Sequence, residues 1–277
     1  LMTVHEFPPF YNGIGARLLW QRIKVPYILE IHHIPGYPRA ANIKEIIYRI
    51  LMRWFVKFDS SKAKAVRVVN QNQTPEFLLK AGVPKEKIVF ISSMYIDLEV
   101  FRPMNLEKKY DIIFVGRLAE NKGINLFLDA AKKLNAKVVV VGDGPFYDKI
   151  KYDIQNTKYN IQLHGWAKDS QEVAELMNKS KILVMPSYNE GGPRVVLEAM
   201  ACGVTVLATP VGIVPDIMTN NEAGEMVRWD SEDIVEKAKR LLNDTVKYDK
   251  YSRAGLELAK QFDKKVAIRN YAEKLKA

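Results

Sequence analysis

Short runs of consecutive apolar residues alternate with helical patterns throughout the second half of the chain. Four such runs are Asp111–Val115, Val138–Val141, Lys181–Met185 and Val204–Ala208. Runs of this length that are rich in β-branched residues predict strands buried on both faces, as in a parallel sheet. The segments between them with helical spacing are Lys122–Leu134, Gln171–Asn178 and Pro193–Ala201. Because helices commonly cross over between parallel strands, we predict a doubly wound α/β domain.

The first half carries a sparser version of the same pattern. Its predicted strands are Tyr27–Ile31, Ala65–Val69 and Ile88–Ile91, and its predicted helices are Ile43–Phe58 and Thr74–Ala81. The polar, proline-containing stretch Arg102–Lys109 is typical of a boundary between domains. Near the end of the chain, Ser231–Leu242, Tyr248–Gln261 and Lys265–Lys276 predict helices. We therefore expect an N-terminal domain at 1–105, a C-terminal domain at 106–261, and a closing helix at 262–277 that could cross back to the first domain.

Composition and charge narrow the class of protein. Two modest domains fit 277 residues of which 48% are hydrophobic. One cysteine, Cys202, excludes an internal disulfide and a multi-cysteine zinc site. The formal charge of +10 favours an anionic partner such as nucleic acid, a phosphorylated small molecule or an acidic membrane surface. No stretch approaches the roughly 20 apolar residues of a spanning helix, and Leu1–His5 lacks the order of a signal peptide. We therefore expect a cytoplasmic protein, either soluble or peripheral on the cytoplasmic face of a membrane.

Ligands of doubly wound sheets bind where the carboxyl ends of strands lead into helices. One such connection carries Gly116, Arg117 and Lys122. A guanidinium and an ammonium group beside a glycine-bearing turn suit a diphosphate. The alternative is a pair of exposed surface cations.

Two further connections give weaker signals. Gly142 and Gly144 permit a tight turn after a strand, but an ordinary strand-to-helix connection accounts for them as well. His164 could line a ligand or cap its strand.

The strongest signal lies in Ser187–Gly203, where a strand leads into a helix. Gly191 and Gly192 free the backbone at the helix start, and Pro193 suits the first helical position. Unpaired N–H groups and the positive end of the helix dipole should therefore face the ligand cleft. They could hold an anion or sugar hydroxyls there.

Two carboxylates bracket this helix start. Glu190 precedes it, and Glu198 lies inside the helix, and hydroxyl-rich ligands need such acceptors. Glu198 stands among the apolar residues of Val195–Cys202. A carboxylate in such surroundings requires a partner, so we expect a functional role. A solvated helix position is the alternative.

These residues resemble a known family. Glu190 and Glu198 are separated by seven residues and followed by Ala199–Gly203, which is similar to the Glu-x7-Glu signature of retaining glycosyltransferase family 4. Further segments that resemble the family's donor domain are Gly116–Leu118 with Glu120, Lys122–Gly123, Val141–Pro145 and Ala208–Gly212. The segments Ala81–Ile88 and Ile96–Pro103 resemble the region that joins its two domains. Together these segments cover most of the chain.

The resemblance implies a GT-B fold, in which two Rossmann-like doubly wound domains face a cleft. It also implies transfer of a hexose from a nucleotide-sugar donor to a hydroxyl of a glycan or lipid-linked glycan, with the anomeric configuration retained, as in polysaccharide biosynthesis. No cofactor and no metal are implied, because protein cations would neutralise the departing nucleotide. Nucleic acid is not an expected partner, since the sequence has no recognised motif for it.

The family's roles carry over to matching positions. By resemblance, Arg117 and Lys122 would bind the donor diphosphate, and Glu190 would hold the transferred sugar. Glu198 would accept hydrogen bonds from the ribose. The other donor-binding positions implied are Gly116, Gly142, Gly144, Gly191, Gly192, Pro193 and Arg194.

The family also places a histidine after an N-terminal strand, where it contacts the transferred sugar. His32 and His33 both follow Tyr27–Ile31, and we choose His32. A purely structural role for the histidine pair is the alternative.

The chain departs from the family at three points. The family usually opens with a strand and a glycine-rich loop that are not recognisable here, so we expect a shortened or incomplete N-terminal domain. Met94 and Tyr95 replace a glycine, and Pro193 lacks one N–H that could bind the sugar. A second hypothesis is therefore a non-catalytic subunit that binds sugar nucleotides or a partner and has a degenerate acceptor domain.

Residues 43–58 combine apolar and aromatic side chains with Lys44, Arg49, Arg53 and Lys57. This composition is typical of interfacial helices, so the segment could dock on an anionic membrane surface. The alternative is a core helix whose basic face is merely solvated.

Overall fold

Two parallel β-sheets form the framework of the protein. The computed structural model describes residues 1–92, 94–156, 158–219 and 222–276. In the N-terminal half, four strands lie in the order β1-β2-β3-β4, and three helices accompany them. The strands are β1 (Met2–His5), β2 (Tyr27–Ile31), β3 (Ala65–Val68) and β4 (Ile88–Phe90), and the helices are α1 (Tyr11–Ile23), α2 (Ile43–Ser60) and α3 (Gln73–Lys80).

The second half contains six parallel strands in the order β10-β9-β8-β5-β6-β7. They are β5 (Tyr110–Val115), β6 (Val138–Val141), β7 (Ile161–Gly165), β8 (Ser180–Met185), β9 (Thr205–Ala208) and β10 (Glu225–Met226). The helices are α4 (Ile124–Lys133), α5 (Tyr147–Gln155), α6 (Ser170–Asn178), α7 (Arg194–Ala201), α8 (Val214–Ile217), α9 (Ser231–Asn243), α10 (Thr245–Lys260) and α11 (Lys264–Lys276). Strand β5 lies between β6 and β8 near the centre of the sheet. The connections that follow β6 and β8 therefore lie on either side of the carboxyl end of β5. Ligands of open α/β sheets bind at such a position.

Both faces of the six-stranded sheet are buried, as the apolar runs predicted. Ile113 and Leu183 point into a core shared with α6, α7 and α10. Ile112 and Ile182, their neighbours along the strands, point into a core shared with α4 and α9. The α/β prediction is therefore confirmed, since the alternation of side chains along each strand fills one core on each side.

The four-stranded sheet differs, because its two faces are unlike. One face packs Leu29 and Val66 against α2 and α3. The other face carries a row of paired positions, His5, Glu30 and Arg67. Arg67 donates a hydrogen bond to Glu30 over 2.7 Å and is buried. Because this face carries charged side chains where the other sheet has apolar ones, the apolar runs of the first half are shorter and fewer than those of the second half.

The last helix contacts the N-terminal half. The backbone of Asp263, just before α11, forms a parallel β-bridge with that of Ile96. The Arg67 guanidinium lies 4.5 Å from the ring centroid of Tyr271 in α11. The boundaries of the expected domains stay a prediction.

Several elements differ from the predictions. The pattern missed β1, α1, α8 and β10, and it indicated the helix after Gly144, which is α5, without giving its bounds. The helix predicted from Lys122 begins at Ile124, because Gly123 has a left-handed φ of 69° and ends a short 3₁₀ turn at Glu120–Lys122. Within the described residues, every helix is too short or too polar to cross a membrane.

Candidate functional site

Two neighbouring cavities open at the carboxyl end of β5. The smaller, of about 190 Å³, lies between β5 and the start of α7. The larger, of about 550 Å³, lies between β5, β6 and the start of α6, beside Trp166. Gly116, Arg117 and Lys122 line both, so the two cavities form one groove with cations at its centre.

Lys122 and Glu190 form an ion pair in the smaller cavity. The Lys122 Nζ donates to Glu190 Oε1 over 2.5 Å, and the Ser187 hydroxyl donates to the same oxygen over 2.9 Å. The Glu190 side chain is only 14% exposed and that of Lys122 is 29% exposed. The structure thus brings together two of the residues predicted to act on the donor.

Arg117 lies at the mouth of both cavities and is exposed. Among the described residues, none forms an ion pair or a hydrogen bond with its guanidinium. An unpaired cation beside a paired one leaves positive charge available for an anionic ligand.

The glycines of the first two connections shape the groove. A Cβ on Gly142 would lie 2.0 Å from the Gly116 carbonyl oxygen, and the φ of Gly142 is 138°. A Cβ on Gly144 would lie 2.6 Å from the Leu118 oxygen. Glycine is therefore required for the close approach of these two loops.

The third connection differs in detail from the prediction. Helix α7 begins at Arg194, so Pro193 is the residue before the helix and not its first residue, as its ψ of 96° requires. Arg194 and Val195 line the smaller cavity, which places the start of α7 against it. The Gly191 backbone packs against the His32 carbonyl, where a Cβ would lie only 1.6 Å from the oxygen.

Glu198 lies further along α7 and is partly buried. Burial raises the pKa of the Glu198 carboxyl, and the positive charge of Arg194 partly opposes this effect. Among the described residues, Glu198 does not belong to the wall of either cavity. Its carboxylate is thus separate from the Lys122–Glu190 pair.

The two histidines point to different places. His32 lies 3.1 Å from Glu30 Oε2, near Arg67, and lines a third cavity of about 290 Å³ beside α11. The Nε2 of His33 lies 2.8 Å from Asn189 Oδ1, beside Glu190. Burial lowers the pKa of His33. The two side chains therefore lie on different sides of the chain, as successive residues of a strand do. Which of them contacts a transferred sugar stays a prediction.

A sequence profile of the family described as "Glycosyl transferases group 1" matches residues 97–258, which is more than half of the chain. The chain belongs to the glycosyl transferases group 1 family. The resemblance to family 4 is confirmed. As a group 1 glycosyltransferase, the protein transfers a sugar from a nucleotide-sugar donor.

Two relatives illustrate the similarity in sequence. An uncharacterized glycosyltransferase of Methanocaldococcus jannaschii is 28% identical over 265 residues, which cover 94% of this chain and 70% of the relative. The N,N'-diacetylbacillosaminyl-diphospho-undecaprenol alpha-1,3-N-acetylgalactosaminyltransferase of Campylobacter jejuni is 25% identical over 269 residues, which cover 90% of this chain and 70% of the relative.

Solved structures show the fold of this transferase. Anabaena HepE in complex with UDP and glucose superposes with a TM-score of 0.80 at 18% identity, covering 96% of this chain and 75% of HepE. Sucrose-phosphate synthase from Thermosynechococcus elongatus superposes with a TM-score of 0.77 at 19% identity, covering 99% of this chain and 73% of the synthase. The predicted GT-B fold is confirmed.

The segment before Glu190 has partners in the N-terminal half that the sequence did not reveal. Asn189 is fully buried and bonds to Glu45 and to the Arg39 backbone, both in the N-terminal half. The Arg39 guanidinium lies over the rings of Tyr188 and Trp229. The polar residues Ser187–Asn189 before Glu190 indicated a binding site. Their partners could not be found from the sequence, because Arg39 and Glu45 are far away along the chain. Within the described residues, no group of three or more histidine, cysteine or acidic side chains is arranged to hold a metal ion.

Proposed function

We propose that this transferase moves a hexose from a nucleoside diphosphate sugar to a hydroxyl group of a glycan or lipid-linked glycan, with retention of the anomeric configuration. The observation that carries the proposal is the Lys122–Glu190 ion pair in a cavity beside the start of α7. It combines a cation for a phosphate with a carboxylate for sugar hydroxyls.

The diphosphate would bind at the centre of the groove. Arg117 and Lys122 are the cations that line both cavities, and the free N–H groups at the start of α7 add further donors. This set of positive groups is the reason to propose metal-independent transfer, because it can stabilise the charge that develops on the departing nucleotide.

The nucleoside and the sugar would lie on opposite sides of the diphosphate. The larger cavity, beside Trp166, has the volume and the apolar wall to accept a base and ribose. Glu198 would accept hydrogen bonds from the ribose hydroxyls. The smaller cavity would hold the sugar against Glu190 and Arg194.

Transfer would form a bond between the acceptor oxygen and the anomeric carbon while the bond from that carbon to the phosphate oxygen breaks. The acceptor proton would pass to the departing phosphate oxygen on the same face of the sugar. This route requires no protein base and retains the configuration.

The acceptor side of the proposal rests on the N-terminal half and on the relatives. The Campylobacter jejuni relative is named for a diphospho-undecaprenol acceptor. By analogy we propose a lipid-linked acceptor, domains at 1–105 and 106–261, and a closing helix at 262–277 that joins the first domain. The protein would then act at the cytoplasmic face of a membrane.

Two adjacent helices offer a surface for that membrane. On α2 the exposed large apolar side chains are Ile43, Ile46, Ile47, Ile50, Leu51, Trp54 and Phe58, and on α1 they are Tyr11, Leu18, Leu19 and Ile23. The exposed lysines and arginines of α2 include Lys44, Arg53 and Lys57. An apolar surface edged by cations is suited to the headgroup region of anionic lipid.

Transfer itself can be tested with a nucleotide-sugar panel and undecaprenyl-diphosphate-linked sugars as acceptors. We expect one donor to give a product whose new glycosidic bond has the anomeric configuration of the donor, as read from proton coupling constants. A product of inverted configuration would contradict the retaining reaction. Binding of nucleotides without transfer to any acceptor would favour a sugar-nucleotide-binding subunit.

A further inference from the structure

Asn189, the residue before Glu190, is completely buried where the loop Ser187–Gly192 meets the N-terminal half. We call this segment the donor loop. The Asn189 Nδ2 donates to the Arg39 carbonyl over 3.0 Å and to Glu45 Oε2 over 2.8 Å. Its Oδ1 lies 2.8 Å from His33 Nε2. All three partners belong to the N-terminal half.

The orientation of the Asn189 amide follows from these partners. Both Nδ2 hydrogens face oxygen acceptors, so Oδ1 must face His33, and His33 must donate from Nε2. Glu45 is itself held, because Oε2 also accepts a hydrogen bond from the Ala41 N–H over 2.7 Å. Each of the two Asn189 amide hydrogens is thus donated to an acceptor in the N-terminal half.

Other contacts hold the same loop from the N-terminal side. The Asn70 side chain donates to the Gly191 carbonyl over 3.2 Å. The Arg39 guanidinium lies 5.8 Å from the ring centroid of Tyr188. Glu190 therefore stands between two residues, Asn189 and Gly191, whose positions depend on the N-terminal half.

We propose that Asn189 is a positioning residue for Glu190, and that it holds the donor loop in place only while His33, Arg39 and Glu45 contact it. This inference rests on the proposed function, in which Glu190 binds the transferred sugar. It adds that the N-terminal half sets the geometry of the donor site. Misplacement of a sugar-binding group by about 1 Å costs roughly 10²-fold in rate, so such a contact has a large effect on turnover.

The test compares Asn189→Ala with a matched control, Asn178→Ala. Asn178 is also buried and makes three hydrogen bonds, to the Arg102 and Ala174 carbonyls and from the Met104 N–H. It lies away from the cleft at the end of α6. Both variants lose the same chemical group in a buried position, so a loss of stability is expected in both.

The first measurement is amide hydrogen exchange of the donor loop, which requires no substrate. We expect exchange of the segment 187–192 to be about tenfold faster in Asn189→Ala and unchanged in Asn178→Ala. In Glu45→Gln, which keeps an acceptor oxygen, exchange should remain within about threefold of the wild type. Equal exchange of this segment in the wild type and Asn189→Ala would overturn the proposal.

The second measurement is steady-state hydrolysis or transfer with the nucleotide sugar that the wild type accepts. We expect kcat to fall by roughly 10²-fold in Asn189→Ala, with the donor KM within about threefold, while Asn178→Ala keeps its kcat. An unchanged kcat in Asn189→Ala would also overturn the proposal. If the wild type binds no nucleotide at all, the proposed function fails, whereas the exchange measurement still decides whether Asn189 holds the loop.

Discussion

The ammonium group of Lys122 lies 2.5 Å from Oε1 of Glu190, although the two residues are 68 positions apart in the chain. The contact joins two connections of the sheet at one cavity. A bound diphosphate would compete with Glu190 for Lys122, so in the proposed function the pair would link binding of the leaving group to the position of the carboxylate that holds the sugar.

Replacement of Glu190 by glutamine should separate these two effects. We expect Glu190→Gln to reduce turnover by roughly 10²–10³-fold, because a carboxylate that orients the sugar is lost. Affinity for the nucleoside diphosphate should stay the same or increase, because Lys122 is released. Titration calorimetry and turnover with the same donor measure the two effects. The control is Glu120→Gln, which changes a carboxylate that instead accepts a hydrogen bond from Asn42. Retention of turnover in Glu190→Gln would refute the role of Glu190.

Glu198 should bind the ribose hydroxyls of the nucleotide. We expect the wild type to bind a 2′,3′-dideoxy nucleoside diphosphate roughly tenfold or more weakly than the ribonucleotide, and Glu198→Ala to lose most of this difference. Competition binding with both nucleotides measures it. A variant that discriminates as well as the wild type would show that Glu198 does not contact the ribose.

The raised pKa of Glu198 adds a dependence on pH. The carboxylate becomes protonated at a higher pH than an ordinary glutamate as the solution is acidified, and a neutral carboxyl is a weaker acceptor. Nucleotide affinity should therefore decrease on acidification in the wild type and less so in Glu198→Gln. Parallel pH profiles for the two proteins would contradict this explanation.

A buried pair of carboxyl groups beneath α1 should make stability depend on pH. Glu6 and Asp59 are both buried, and an oxygen of each lies within 2.4 Å of the point where a Cβ on Gly13 would be. Burial, followed by the charge of Glu6, raises the pKa of Asp59 from an ordinary 3.8 to about 8. Between these two values the folded protein retains a proton that the unfolded chain releases, so the free energy of unfolding falls as pH rises through this range.

Asp59→Asn should remove most of this pH dependence. The neutral amide cannot ionise, so the stability of the variant relative to the wild type should increase from pH 5 to pH 8, by at most about 1.4 kcal/mol per pH unit. Urea unfolding at several pH values measures it. Asp249→Asn, at an exposed position of α10, controls for the change in charge. A constant stability difference across this range would show that Asp59 does not retain a proton in the folded protein.

The surface formed by α1 and α2 should bind anionic vesicles. We expect sedimentation with vesicles that contain phosphatidylglycerol, little with phosphatidylcholine alone, and weaker binding at high salt. Trp54→Ala should weaken binding, whereas Trp166→Ala should not. Trp54 and Trp166 are 75% and 74% exposed, but Trp166 lines the larger cavity at the carboxyl end of β5. Equal effects of the two substitutions would place the membrane contact elsewhere.

The strands of the second half were predictable because both of their faces are buried. Runs such as Val138–Val141 have no polar residue, and few other structures accommodate them. The position of the groove lined by Gly116, Arg117 and Lys122 followed from the same pattern, because the order of the connections determines which loops meet at the carboxyl end of β5.

What the sequence did not reveal depends on contacts between distant segments. Strand β1 is only four residues long and half exposed, and α1 contains Gly13 and Gly15, which disfavour a helix on local grounds. That His33 contacts Asn189 while His32 contacts Glu30 required knowledge of which side of the chain each side chain leaves. The contacts of Asn189 with Arg39 and Glu45 required the two halves of the chain to be placed together.

Nucleotide binding at the proposed donor site can be measured with a thermal-shift panel of uridine, guanosine and adenosine diphosphates on the wild type, Arg117→Ala and Glu198→Ala. At a hundred times its dissociation constant, the correct nucleotide should stabilise the wild type by about 2.7 kcal/mol, which corresponds to a rise in Tm of roughly 5–10 °C. We predict that one base gives this rise and that both variants lose most of it. A folded wild type whose Tm responds to none of the three nucleotides, or variants that respond as fully as the wild type, would contradict the proposed donor site.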